Sequence, residues 1–157
     1  MVNNPILEKF ASAWDLISRD YDEIMEKKIV WTNMREVSLK YLGRYFLPGM
    51  KILELGCGTG DEAIYLARRG INVSGTDISQ SMVNNANEKA MRQNLGGSCS
   101  FRQLPIERIN EINEVFDGAY SSFGPLNCID DMKSFSEEIN NKIRKGGYFI
   151  VSVMNRV

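Results

Sequence analysis

The 157-residue chain combines 43% apolar with 25% charged residues, a balance typical of one folded domain of ordinary size. Its 19 basic and 20 acidic side chains give a net charge of −1, which excludes a broad basic surface for nucleic acid or an anionic membrane. No apolar run approaches the roughly 20 residues of a membrane span, and the first residues lack a secretory signal pattern, so we predict a cytoplasmic protein.

Two helices are predicted before the first strand. Asn4-Pro5 is a typical helix start, and apolar residues then recur at helical spacing as far as Ile17. A second helix is predicted over Thr32–Phe46 and is ended by Pro48-Gly49.

Strands and helices alternate in the rest of the chain. The predicted strands are Lys51–Leu55, Ile71–Thr76, Cys99–Gln103, Phe116–Ser122 and Tyr148–Val153, and the helices between them are Asp61–Arg69, Ser79–Asn94 and Asp131–Lys145. This alternation predicts an α/β fold: a Rossmann-like, doubly wound, mainly parallel sheet with helices on both faces. We expect one domain, in which residues 1–47 form a helical cap and residues 48–157 form the core. Ligands of such sheets bind at the carboxyl ends of the strands, where the strand order reverses.

Two absences restrict the chemistry. The sequence contains no histidine, which removes the commonest general base and metal ligand. Its three cysteines, Cys57, Cys99 and Cys128, form no Cys-x-x-Cys pair, so we predict no metal site and a reducing compartment.

A glycine-rich loop joins the first predicted strand to the helix after it. Gly56, Gly58 and Gly60 alternate within this loop and permit a tight turn and close approach of a ligand to the backbone. The alternative is a turn that needs glycine for packing alone. Asp61 stands where a dinucleotide fingerprint needs glycine, and the Lys-Ser/Thr pair of a P-loop is missing, so nicotinamide dinucleotides and nucleoside triphosphates are disfavoured.

Asp77 ends the second predicted strand. It follows the glycine loop at about the distance of the acid that binds ribose hydroxyls, and the next residue, Ile78, is positioned to lie against a base. The alternative is that Asp77 only caps the helix that starts near Ser79.

With these residues the sequence resembles the class I S-adenosylmethionine-dependent methyltransferases. The segment Ile52–Gly60 (ILELGCGTG) matches the first motif of that family almost residue for residue, and Asp77 matches its second-strand acid. Phe116–Tyr120 and Arg144–Ile150 are similar to the family's fourth strand and to the turn and fifth strand, and Tyr21-Asp22 is similar to a segment that lies over the cofactor.

The resemblance implies S-adenosylmethionine as cofactor and S-adenosylhomocysteine as product. It implies that the loop from Gly56 to Gly60 lies against the methionine part and that Glu54 binds its amino group. Asp77 would then bind the ribose. The residues that the resemblance places at the cofactor are Tyr21, Glu54, Gly56, Cys57, Gly58, Gly60, Asp77, Ile78, Met82, Pro105, Ile106 and Ser121. Met82 is equally consistent with a helix core position.

Some positions depart from the family or stay open. Pro105 stands where the family usually has an acid for the adenine amino group, so adenine recognition would depend on the backbone near Ile106. Family members approach the transferred methyl with the segment after the fourth strand, here Ser121–Asn127, although a plain polar turn explains these residues as well. For Trp14 and Trp31 we favour a core position over a place in the site wall.

The resulting hypothesis is an enzyme that transfers a methyl group to a small-molecule acceptor by direct displacement, with no catalytic base assigned. The alternative is a cofactor-binding module, or a truncated domain, without activity of its own. The family normally continues with strands six and seven, which the sequence lacks, so we expect an exposed fifth-strand edge that pairs with a second copy or a partner chain.

Overall fold

The computed structural model describes residues 5–155; Asn4, the predicted helix cap, lies outside this range. The helices are α1 (Pro5–Ile17), α2 (Tyr21–Glu26), α3 (Ile29–Tyr45), α4 (Asp61–Ala67), α5 (Gln80–Arg92) and α6 (Met132–Lys142). The strands are β1 (Lys51–Leu55), β2 (Asn72–Asp77), β3 (Cys99–Gln103), β4 (Phe116–Ser121) and β5 (Ile143–Val151). Short 3₁₀ helices span Ile106–Glu111 and Pro125–Cys128.

The five strands form one parallel sheet in the order β3-β2-β1-β4-β5. The chain runs from β1 outward to β3 and then returns to place β4 on the other side of β1. The strand order therefore reverses between β1 and β4, which creates a crevice at their carboxyl ends. The predicted Rossmann-like fold is confirmed.

Apolar side chains of the central strand alternate between the two faces of the sheet. Ile52 belongs to the core beneath α3, α4 and α5, whereas Leu53 and Leu55 belong to the core beneath α6. Because both faces are covered, β1 is buried from Ile52 to Leu55. The buried acid Glu54 lies within this apolar strand.

Two local differences from the sequence prediction concern helix bounds. The amino-terminal part contains three helices, not two, because the six-residue α2 precedes α3, which begins at Ile29. Near the other end, α6 stops at Lys142 and β5 already begins at Ile143. Gly146 takes a positive φ of 80° and the register with β4 shifts, so the Gly-Gly pair forms a bulge within β5 and does not separate a helix from a strand.

None of the helices within residues 5–155 is long and apolar enough to cross a membrane.

Candidate cofactor and acceptor site

The glycine loop after β1 adopts a conformation that requires glycine. Gly56, Gly58 and Gly60 have φ values of 74°, 50° and 80°, in the left-handed region that side chains disfavour. The loop is held against β2, because the N–H groups of Gly56 and Cys57 donate to the Thr76 carbonyl at 2.8 and 2.9 Å.

A cavity opens above this loop, at the carboxyl ends of β1, β2 and β4. Nine of the twelve residues that the sequence placed at the cofactor line it: Tyr21, Glu54, Gly56, Cys57, Gly58, Asp77, Ile78, Met82 and Ile106. Four chain segments far apart in sequence therefore contribute to one site.

The other three predicted site residues do not line the cavity. Gly60 lies beneath the loop, where a Cβ would approach Phe101 at 2.8 Å and Ala86 at 2.9 Å, so its role here is close packing. Ser121 is fully buried and its hydroxyl donates to the Leu55 carbonyl at 2.8 Å, which joins β4 to β1. Pro105 precedes the first 3₁₀ helix, whose next residues, Ile106 and Glu107, border the cavity instead.

Glu54 is the most unusual group of the site. Only 1% of its surface is exposed, and Oε2 has no hydrogen-bond partner among the residues that the structure describes. Burial, and then the neighbouring Glu62 carboxylate, raise the pKa of Glu54 well above its ordinary value. The nearby Tyr120 hydroxyl lowers the pKa of Glu54 and offsets part of this rise. A buried carboxylate oxygen without a partner is costly, so the site is suited to a ligand with a cationic group that donates hydrogen bonds.

Arg35 of α3 compensates part of the negative charge that the acidic residues bring to this site. Its Nε donates to Glu62 Oε1 and its Nη1 donates to Asp61 Oδ2, both at 2.8 Å. Burial lowers the pKa of Arg35, but the Glu62 and Asp61 carboxylates outweigh this effect and raise it, so the guanidinium stays charged. Burial also raises the pKa of Glu62, against the opposing effect of Arg35.

Asp77 links the glycine loop to β2 and α5. Its carboxylate accepts from the N–H of Gly58 at 2.8 Å and from the N–H of Ser79 at 2.9 Å. Ser79 itself caps α5 by accepting from the Met82 N–H, so the alternative role of Asp77 as the helix cap is taken by Ser79. Burial raises the pKa of Asp77, while these backbone N–H groups lower it. Asp77 lines the cavity, and each of its oxygens keeps a lone pair that can accept a further hydrogen bond.

The amino-terminal helices form the opposite wall and are fixed by polar contacts. Asp22 of α2 accepts from Thr59 of the glycine loop and from Lys89 Nζ, and Lys89 also pairs with Asp61 at 2.6 Å. Asp15 of α1 accepts from the Ser79 hydroxyl at 2.5 Å and from the Ser81 N–H at 3.0 Å. Helix α1 contains no buried residue, so this wall is attached mainly by hydrogen bonds and ion pairs.

The predictions for three aromatic residues of the amino-terminal helices have different outcomes. Tyr21 lines the cavity as predicted, and burial, with the Glu62 carboxylate next, raises the pKa of its hydroxyl to about 12. The core position favoured for Trp14 was wrong: the side chain is 41% exposed and borders the cavity. Trp31 is partly buried and packs edge-on against Phe123, with the ring centroids 5.8 Å apart.

Several lining residues were not identified from the sequence. Leu7 and Phe10 of α1, Arg35 of α3 and Glu62 of α4 all border the cavity. Phe10 carried a signal as an apolar residue at helical spacing, but only the packing of α1 over the sheet decides which face of that helix meets the cavity. Of the segment after β4, Ser122 and Phe123 line the cavity, whereas Asn127 bonds to the backbone of Met154.

Comparison with known proteins identifies the fold and the family. A family model described as "Methyltransferase domain" matches residues 47–157. The ubiquinone biosynthesis O-methyltransferase of Alkalilimnicola ehrlichii is 30% identical over 110 residues, which cover 70% of this chain and 44% of that protein.

Two solved structures share the fold. The [4+2]-cyclase SpnF superposes with a TM-score of 0.80 at 19% identity over 92% of this chain and 59% of that protein. A S-adenosylmethionine-dependent methyltransferase from Thiobacillus denitrificans, solved with S-adenosyl-L-homocysteine, has a TM-score of 0.61 at 21% identity over 73% of this chain and 47% of its own. The chain spans 42–50% of the length of the first curated relatives that it matches. By the family match to its residues 47–157, the chain belongs to the class I S-adenosylmethionine-dependent methyltransferases.

Proposed function

We propose that the chain binds S-adenosylmethionine in the cavity above the glycine loop and transfers its methyl group to a small-molecule acceptor by direct displacement. The observation that carries this proposal is the pair of acids at the ends of adjacent strands. Glu54 of β1 and Asp77 of β2 both line the cavity that the glycine loop borders.

The residues present fit this cofactor. The Glu54 oxygen without a hydrogen-bond partner is suited to an ammonium group, and the carboxylate of Asp77 is suited to the two ribose hydroxyls. The apolar side chains of Ile78, Met82 and Ile106 are suited to the adenine ring. The carboxylates of the lining outnumber its one cation, Arg35, among the described residues, which favours a ligand with net positive charge.

When bound, S-adenosylmethionine supplies a methyl group on a positively charged sulfur, which is already activated for transfer. The protein's contribution is to orient the two reactants and to exclude water, and orientation alone contributes about 7–11 kcal/mol in favourable cases. Tyr21 stays protonated at neutral pH and acts as a hydrogen-bond donor, not as a base. No general base is assigned.

A transfer assay tests this proposal against the alternative of a binding module. The full chain is incubated with S-adenosylmethionine carrying a labelled methyl group and a panel of small acceptors, and both labelled product and S-adenosylhomocysteine are measured. The enzyme hypothesis predicts both in equal amounts for at least one acceptor. Tight binding of the cofactor with no product from any acceptor would favour the binding module.

We also propose that the free edge of β5 pairs with a second copy or a partner chain. Within residues 5–155, β5 is hydrogen-bonded to β4 alone, and Tyr148 and Val151 are about half exposed. Light scattering after gel filtration tests this: we expect association that Val151→Lys weakens. A wild-type chain that stays monomeric and binds no partner would contradict it.

A further inference from the structure

Some of the lining residues that the cofactor assignment leaves over belong to the segment after β4 and form one wall of the cavity. Apart from Ser122 and Gly124, they are Phe123, Pro125, Cys128 and Ile129. The hydroxyl in this wall, that of Ser122, is already hydrogen-bonded to the Ser38 hydroxyl at 3.0 Å. We call Phe123, Pro125, Cys128 and Ile129 the acceptor wall.

Phe123 is held firmly in this wall. It has a φ of 64°, a left-handed conformation that is rare for an aromatic residue and persists only where the surroundings impose it. Its N–H donates to the Ser152 hydroxyl at 2.7 Å, and its ring packs edge-on against Trp31. These contacts fix an aromatic ring at the edge of the cavity.

Acidic side chains outnumber basic ones in the described lining of the cavity. Arg35 is the one basic side chain in the described cavity lining, and it is paired with Asp61 and Glu62 and lies 5.7 Å from the Phe123 ring centre. Besides the two acids assigned to the cofactor, the carboxylates of Glu62 and Glu107 line the cavity. Within the described lining, an anionic acceptor would find no unpaired cation and an excess of acidic residues, and like charges in contact are strongly disfavoured.

We infer that the methyl acceptor is an uncharged, largely apolar molecule that places an aromatic face against Phe123, and that the site rejects acceptors carrying a carboxylate or phosphate. This inference rests on the proposed function, because the acceptor wall is defined by the space that the cofactor leaves. A flat apolar ring gains contact with the fixed Phe123 ring, and its lack of charge suits a cavity in which acidic residues outnumber the one basic side chain of the described lining.

Matched pairs of aromatic probes test the inference on the full chain saturated with S-adenosylhomocysteine. Indole-3-ethanol is compared with indole-3-acetate, and 2-naphthalenemethanol with 2-naphthoate, by NMR titration. The members of each pair share a ring and differ in charge. We expect each neutral probe to bind at least about tenfold more tightly than its anionic partner. Equal affinities, tighter binding of the anions, or no binding of either neutral probe would overturn the inference.

Two variants distinguish a charge placed in the acceptor wall from a charge placed on the nearby surface. Cys128 ends the second 3₁₀ helix and Met132 begins α6; both are exposed, but Cys128 alone of the two lines the cavity. Cys128→Lys is therefore expected to raise the affinity for the anionic probes at least about fivefold, and Met132→Lys to leave it unchanged. An equal effect of both substitutions, or none from Cys128→Lys, would contradict the assignment of the wall.

A third variant tests the ring itself. Phe123→Leu keeps an apolar side chain and is expected to weaken binding of both neutral probes, whereas unchanged affinity would contradict the contact. Titration with S-adenosylhomocysteine alone tests the proposed function independently of the probe experiments. If S-adenosylhomocysteine itself does not bind, the proposed function fails; if it binds and the probes are not discriminated by charge, only this inference fails.

Discussion

The backbone N–H of Gly58 donates a hydrogen bond of 2.8 Å to Oδ2 of Asp77. This bond joins the glycine loop after β1 to the end of β2, so the two parts of the proposed cofactor site are fixed relative to each other before any ligand enters. Asp77 consequently has a structural role and a proposed binding role, and a substitution there has to be interpreted with both in mind.

Asp77→Asn keeps the size of the side chain and removes its charge. We expect the affinity for S-adenosylhomocysteine to fall about 10- to 100-fold, because a hydrogen bond to a charged group contributes about 1.5–3 kcal/mol. Calorimetric titration measures the change, with Asp130→Asn as a control at an exposed carboxylate outside the cavity lining. Equal affinities of Asp77→Asn and wild type would refute the ribose assignment.

Glu54→Gln is expected to stabilise the protein at neutral and alkaline pH. The raised pKa means that the folded state holds a proton on Glu54 above 4.5, the ordinary value, so stability falls as pH rises from there through the folded pKa. Removing the ionisable group should recover at least about 1 kcal/mol at pH 8, because each unit by which folding raises a pKa corresponds to about 1.4 kcal/mol. Thermal unfolding at pH 5 and pH 8 should show a larger gain at pH 8; the exposed Glu88→Gln serves as the control.

The same group should make cofactor binding depend on pH. An ammonium group binds the ionised form of Glu54, so the affinity for S-adenosylhomocysteine should increase with pH up to the pKa of Glu54 and then level off. In Glu54→Gln, the affinity for S-adenosylhomocysteine should no longer increase with pH over this range, and it should be much lower than in the wild type. A variant that retains the wild-type slope would show that another group is responsible.

Gly58 and Gly60 allow a matched comparison. A Cβ at Gly58 meets nothing within 4 Å, whereas a Cβ at Gly60 meets Phe101 and Ala86 closer than 3 Å. Gly60→Ala should therefore cost about 2–5 kcal/mol of stability, and Gly58→Ala only the strain of about 1–2 kcal/mol. The affinity of the folded variants for S-adenosylhomocysteine should show the opposite order. Gly58→Ala should weaken binding more than Gly60→Ala does, because Gly58 and not Gly60 lines the cavity. The reverse ranking in denaturant unfolding would contradict the placement of the loop.

Lys89→Met should loosen the amino-terminal wall without unfolding the sheet. Lys89 pairs with both Asp22 of α2 and Asp61 of α4, and loss of these half-buried pairs should cost about 1 kcal/mol. Hydrogen exchange in α2 should accelerate about fivefold while exchange in β1 stays unchanged. Arg92→Met, on the same helix but pairing with the exposed Glu88, is the control. Acceleration of equal size in both variants would refute the attachment.

Local patterns were sufficient to predict the sheet, the glycine loop and Asp77, whereas most other residues of the proposed cofactor site came from the family resemblance. The glycine loop and Asp77 are defined by residues close in sequence to a strand end, and such positions follow from β-strand and turn chemistry. The contributions of Arg35 and Glu62 were missed because they depend on how α3 packs against the start of α4. Gly60 shows the converse: its motif position suggested a ligand contact, but the nearby Phe101 ring gives it a packing role.

The most direct measurement is calorimetric titration of the purified chain with S-adenosylhomocysteine at neutral pH. The proposed site predicts saturable binding with one ligand per chain, weakened by both Asp77→Asn and Glu54→Gln. Absence of binding at millimolar ligand, or binding that neither substitution changes, would contradict the assignment of this cavity to the cofactor.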